Sequence, residues 1–176
     1  MSGHSKWSQI KRQKGAADGA KAVVWGKIGK RIAVESKRAN GDVTAVGLRT
    51  IIEAAKKANM PKDTIERAVQ KGISADAQAL DAITYETYGP GGAAIIIETL
   101  TDSRNRTAQE IKHLLSELGL ALASPGSALW AFEKNGAGYT PKTSVAISPE
   151  DDAKLMELME KIDAHDDVEE VFTNAE

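Results

Sequence analysis

The residues best suited to chemistry lie at the start of this 176-residue chain. They run Gly3-His4-Ser5-Lys6-Trp7, then Ile10-Lys11-Arg12 and Lys14. Lysine and arginine at this density neutralise phosphates, and an indole set among them can stack on a base. The pattern therefore suits a nucleic-acid backbone. The plainer alternative is a solvated charged tail with Trp7 tucked onto the fold, and composition does not separate the two. The charge continues through Lys21, Lys27, Lys30 and Arg31. Lys27, Lys30 and Arg31 fall at i, i+3 and i+4, which places them on one face of a helix. A basic arm followed by a basic helix face is a larger footprint than either alone, and it favours nucleic acid. No helix-turn-helix signature accompanies it, so backbone and shape recognition is expected rather than base readout in a major groove.

A second candidate is Thr101-Asp102-Ser103-Arg104-Asn105-Arg106-Thr107. Asp102 or Ser103 reads as a helix N-cap. Arg104 and Arg106 would then sit in a first helical turn, where positive charge opposes the macrodipole. Such a helix start could hold a phosphate as a second, weaker contact. Pairing with Asp102 or Glu98 is the competing reading and the favoured one. Tyr85-x-x-Tyr88-Gly89-Pro90-Gly91-Gly92 lacks the spacing of a phosphate loop and leads into a strand, so it reads as a turn. Carboxylates at 150–152 and at 163–170 read as helix N-terminal charge and solvated surface. No nucleophile–base or acid–base pair is supported by spacing, so neither catalysis nor a cofactor is indicated.

Composition narrows the rest. Residues 1–72 hold 16 Lys+Arg against 6 Asp+Glu, a formal +10, and residues 73–176 hold 7 against 19, a formal −12. The total of −2 conceals a basic module joined to an acidic body. Cysteine is absent and the three histidines are scattered, so no metal site is expected. No run approaches 18 apolar residues and the start has no signal-like apolar core. The expectation is a cytoplasmic protein, without membrane contact and monomeric.

Periodicity supplies the elements. Helices are expected over 16–39, with Val24, Ile28 and Ile32 inward and Trp25 beside them, over 44–58, and over 62–71. The last has a capping-box-like Asp63…Glu66 spacing after Pro61 and a stop at Gly72. Gly26 and Gly29 weaken the first helix. Residues 73–82 read as a linker. Strands over 83–88 and 93–100 flank the Gly-Pro-Gly-Gly turn. A helix over 104–118, strands over 127–133 and 145–147, a helix over 150–162 and a strand over 168–173 follow. The fold class is α+β: a basic three-helix domain (1–72), then an acidic ferredoxin-like βαββαβ domain (83–176) with an extra N-terminal strand.

At GHSKWSQIKRQK (3–14), Asp18, NMPKDTIERAVQKG (59–72), YETYGPGGAAIIIETLTDSRNRT (85–107) and GSALWAFEKNG (126–136) the chain resembles the YebC/PmpR family. Its mitochondrial relatives are translational activators of cytochrome oxidase subunit synthesis. The resemblance implies an N-terminal helical domain, a central α/β domain and a third domain inserted into the second. Here Lys134-Asn135-Gly136 passes almost directly to Pro141-Lys142, so the inserted domain is expected to be absent near 136–141. The resemblance further implies a transcriptional regulator that binds promoter DNA. The alternative it carries is a ribosome-associated factor on ribosomal RNA that eases translation of difficult, proline-rich sequences.

Overall fold

Apolar spacing of three and four residues builds three helices in the first half of the chain, and two-residue spacing builds strands in the second. The computed structural model describes residues 18–75, 77, 79–136 and 138–176, and of residues 18–20 the helical backbone alone. The described chain divides into two compact units that meet in sequence at Leu80 and Asp81.

The first unit contains α1 (Asp18–Arg38), α2 (Val46–Lys57) and α3 (Lys62–Ile73). Their inward stripes meet in a core of Ile32, Leu48, Ala55, Met60, Ile65 and Val69, with Trp25 and Ile28 packed against it. Asn40 and Gly41 end α1 in left-handed conformations, at φ 50 and 79. Two expectations change here. The capping box is not made: Pro61 occupies the N-cap with no side-chain hydrogen bond, so α3 begins too early for Asp63 to cap it. Asp63 sits inside the first turn instead, where its charge meets the helix dipole. Nor does Gly72 stop α3, which continues to Ile73. Gly72 is buried against α1, where a Cβ would lie 2.4 Å from the Ala33 carbonyl oxygen and 2.7 Å from the Ser36 Cβ. Beside it the Ser36 hydroxyl donates to the Val69 carbonyl at 2.7 Å.

The second unit runs β1 (Asp81–Tyr88), β2 (Ala94–Thr101), α4 (Arg104–Glu117), β3 (Phe132–Asn135), β4 (Gly138–Pro141), α5 (Pro149–Asp163) and β5 (Val168–Thr173). The class is α+β, with β1 joined to β2 as a hairpin. The order from β2 onward is βαββαβ, but the central pair does not enter the main sheet. That sheet is antiparallel with order β1-β2-β5, while β3 and β4 pair only with each other. This explains the unbroken apolar run of β2. Ile95 and Ile97 face Ile111 and Leu115 of α4 and Leu155 and Met159 of α5. Ala94 and Ile96 face the other way, onto Phe132 and Tyr139 of the β3–β4 hairpin. A strand covered on both faces needs no polar alternation.

Residues 127–133 are therefore not one strand. Leu129–Ala131 form a 3-10 turn ahead of β3. The cause is Glu86 of β1, 2% exposed. Its carboxyl oxygens accept the backbone N–H groups of Gly126 (2.5 Å), Ala128 (2.7 Å) and Leu129 (2.9 Å) and draw the segment into a turn. Residues 145–147 likewise make no strand, only a parallel bridge between Val145 and Ala175. The Asn174 side chain fixes that corner, accepting from the Ala94 N–H and donating to the Thr143 carbonyl.

Candidate nucleic-acid interface

Five of the basic-module candidates, Lys6, Trp7, Lys11, Arg12 and Lys14, lie outside the described residues. The other four are on α1 and do not form a uniform exposed face. Lys21 and Arg31 are exposed, Lys30 is half-buried, and Lys27 is only 8% exposed. All four engage in hydrogen-bonding, ring or charge contacts within the chain. The i, i+3, i+4 spacing gave the helical face correctly but carried no information about its burial.

Three exposed cations group at the link between α2 and α3. Lys56 and Lys57 close α2, and Lys62 opens α3 after the turn Ala58-Asn59-Met60-Pro61. Asn59 takes the left-handed conformation, φ 56, that reverses the chain. The turn is seated on α1: the Trp25 indole Nε1 donates to the Ala58 carbonyl at 3.0 Å, and the Met60 methyl lies 3.8 Å from where a Gly29 Cβ would stand. Sequence reading missed these lysines because they fall on two elements. The signal was present in Lys-Lys-Ala-Asn-Met-Pro-Lys, where a proline-closed turn brings both flanks together.

Arg104 and Arg106 meet carboxylates. Arg104 forks onto Asp81, Nε to Oδ2 at 2.7 Å and Nη2 to Oδ1 at 3.0 Å. That hydrogen-bonded guanidinium holds the Asp81 carboxyl below its usual range. Arg106 reaches Asp102 at 2.9 Å, Glu110 at 3.3 Å and the buried Asp167 at 2.9 Å. Asp167 also accepts from the Thr107 hydroxyl at 2.7 Å. Ser103 is the N-cap by position, but its side chain makes no cap bond. Nearby, burial first and the Asp167 charge second push the Tyr85 phenol up.

Glu110, His165 and Asp167 could each offer an atom to a metal, all within 4.8 Å of one another. Two bonds argue against that use. His165 Nδ1 accepts the Asp167 N–H at 3.1 Å, so the ring's proton is on Nε2, which faces Glu110 at 3.2 Å. The Arg106 guanidinium bridges Glu110 and Asp167 and stands as the cation of the cluster.

Two sequence profiles match the chain. One, "TACO1/YebC protein N-terminal domain", covers residues 5–75; the other, "TACO1/YebC second and third domain", covers 80–137 and 136–175. The chain belongs to the TACO1/YebC family. A "Probable transcriptional regulatory protein" of Petrotoga mobilis is 43% identical over 183 residues, covering 100% of this chain and 71% of that relative. One of the same description from Fervidobacterium nodosum is 32% identical over 235 residues, covering 99% and 93%. Among solved structures, "Crystal Structure of a Conserved Hypothetical Protein Aq1575 from Aquifex Aeolicus" is similar with a TM-score of 0.85 at 26% identity, over 98% of this chain and 97% of that one. No helix among the described residues is long and apolar enough to cross a membrane.

Proposed function

We propose that this TACO1/YebC member is a non-enzymatic regulator of gene expression that binds nucleic acid through its basic arm and helical unit. The reading taken first is DNA binding in transcription. It is supported by the regulatory description of its relatives. The observation that carries it is the partition of charge between two separately folded units. The helical unit, residues 16–80, holds 12 Lys+Arg against 7 Asp+Glu, residues 1–15 add four cations and no acid in sequence, and residues 81–176 hold 7 against 18. A polyanion is attracted to one and repelled by the other. Within the footprint, Lys6, Trp7, Lys11, Arg12, Lys14, Lys21 and Arg31 remain the proposed contacts. Lys27 and Lys30 contribute less because they are partly or largely withdrawn from solvent. Arg104 and Arg106 fit a structural role better, since each is held by carboxylates.

The two segments matched by the second profile overlap at residues 136–137, which fall between β3 and β4 in sequence. This supports a chain that lacks the inserted third domain, so the proposed function does not draw on a cleft between the second and third domains.

Fluorescence anisotropy on a labelled mixed-sequence DNA duplex tests the proposal. With about five phosphates neutralised, log K against log[salt] should slope near −4.5. Affinity indifferent to salt rules it out. Co-sedimentation with ribosomes in moderate salt, without measurable hold on the duplex, would move the target from DNA to ribosomal RNA.

A further inference from the structure

We infer that the phosphate backbone lies across the end of the helical unit where α2 turns into α3, and that Lys56, Lys57 and Lys62 are contacts there together with Lys21. This rests on the nucleic-acid reading above and assigns it a surface that the α1 spacing does not supply. Lys21 precedes Trp25 by one helical turn, so the two share a face of α1. The Trp25 indole is bonded to Ala58, the residue directly after Lys57, which brings Lys21 to the same end as the α2–α3 turn. The chain enters α1 at that end, with Lys11, Arg12 and Lys14 immediately upstream in sequence.

Charge and exposure favour this end over the α1 face. Lys27 is 8% exposed, whereas the Lys62 side chain is 86% exposed and Lys56 and Lys57 are both exposed. Among the described residues no carboxylate pairs with Lys56 or Lys57. Lys62 meets Glu66 at 3.5 Å, with side chains 86% and 61% exposed, a contact that water and salt screen. Glu53 and Asp63 are the other acids on these helices near the turn, and neither forms an ion pair with the three lysines. The helix dipole accounts for Lys56 and Lys57 at a C-terminus. It does not account for Lys62, which stands in a first turn where positive charge is unfavourable. An external anion explains all three.

The test compares K56Q/K57Q/K62Q with K112Q/K154Q/K161Q, which removes the same net charge from the acidic unit. Two probes are used in the full-length protein: a mixed-sequence DNA duplex and a ribosomal RNA hairpin. The turn variant should lose about 2.7 of the salt slope on a duplex, so raising salt from 50 to 200 mM weakens the wild type about 40-fold more than the variant. K56R/K57R/K62R should keep the wild-type slope, because arginine retains the charge. The probe on which the slope changes identifies the source of the phosphates. Equal slopes for the turn variant and the wild type, or equal losses in both triple variants, overturn the inference while leaving the broader reading standing. A wild type that holds neither probe in a salt-dependent way overturns both.

Discussion

A single buried carboxyl shows how much one residue can organise in this protein. Glu86 projects from β1 away from the helices, into the segment that leads to β3. Three backbone amides converge on it, from Gly126, Ala128 and Leu129. The Ala128 amide cannot turn to water, because Glu86 is 2% exposed and Ala128 is fully buried, and Leu129 is half-buried beside it. Removing the acceptor leaves buried donors unsatisfied, at roughly 1–3 kcal/mol for each such group. We expect Glu86→Ala to cost about 3 kcal/mol or more. Glu86→Gln should cost about 1–3 kcal/mol, because its amide nitrogen would face a donor. Urea denaturation of both variants measures this. A loss in Glu86→Ala below 1 kcal/mol would mean that the loop holds its shape without the carboxyl. The same residue explains a difference between sequence and structure. Alternating Leu129, Trp130, Ala131 and Phe132 has the period of a strand, yet an acceptor 43 residues away converts its first part to a 3-10 turn.

Helix contacts have the same dependence on distant partners. Gly72 looks like a helix stop, but α3 runs past it, and its missing side chain lets α3 approach the Ala33 carbonyl of α1. An alanine there would gain helix propensity of up to about 1 kcal/mol. It would also force a Cβ to within 2.4 Å of a backbone oxygen. Backbone cannot yield as a flexible side chain can, so overpacking should win and Gly72→Ala should be destabilising by about 1–3 kcal/mol. A raised melting temperature would show that the helices separate without penalty. Helix positions and order were readable because they depend on local period: α1, α2, α3, α4 and α5 all arise within a few residues of where the apolar stripes place them, whereas the strand expected over 127–133 survives only in β3, none forms at 145–147, and β4 was not expected. The charge of the first unit was readable for the same reason. Burial was not, and partnership only in part: the Arg106–Asp102 pair was expected and forms at 2.9 Å. Lys27 shares a face with Arg31 in sequence but is withdrawn in the fold, and Arg104 meets Asp81, 23 residues upstream. The lysines around the α2–α3 turn escaped because a periodicity argument treats one element at a time.

At the scale of the whole molecule, the acidic unit should oppose the binding its neighbour carries out. Residues 81–176 bear a formal −11, and residues 1–80 a formal +9. Each unit has its own buried core, so the basic part has the means to fold separately. Tethering −11 to a phosphate-binding surface lowers the local potential that draws in a polyanion, by an amount that depends on screening. The Debye length is about 10 Å at 0.1 M salt and about 3 Å at 1 M. A fragment of residues 1–80 should therefore bind a DNA duplex or RNA hairpin more tightly than the full chain at low salt, and residues 81–176 alone should not bind. The advantage should shrink as salt rises, because the specific contacts are common to both proteins and only the long-range repulsion is screened away. Anisotropy titrations of the two proteins across a salt series measure the difference directly. Equal affinities at low salt would mean that the acidic unit exerts no net field along the path of the nucleic acid. A fragment weaker than the full chain at every salt would mean that residues 81–176 contribute contacts of their own.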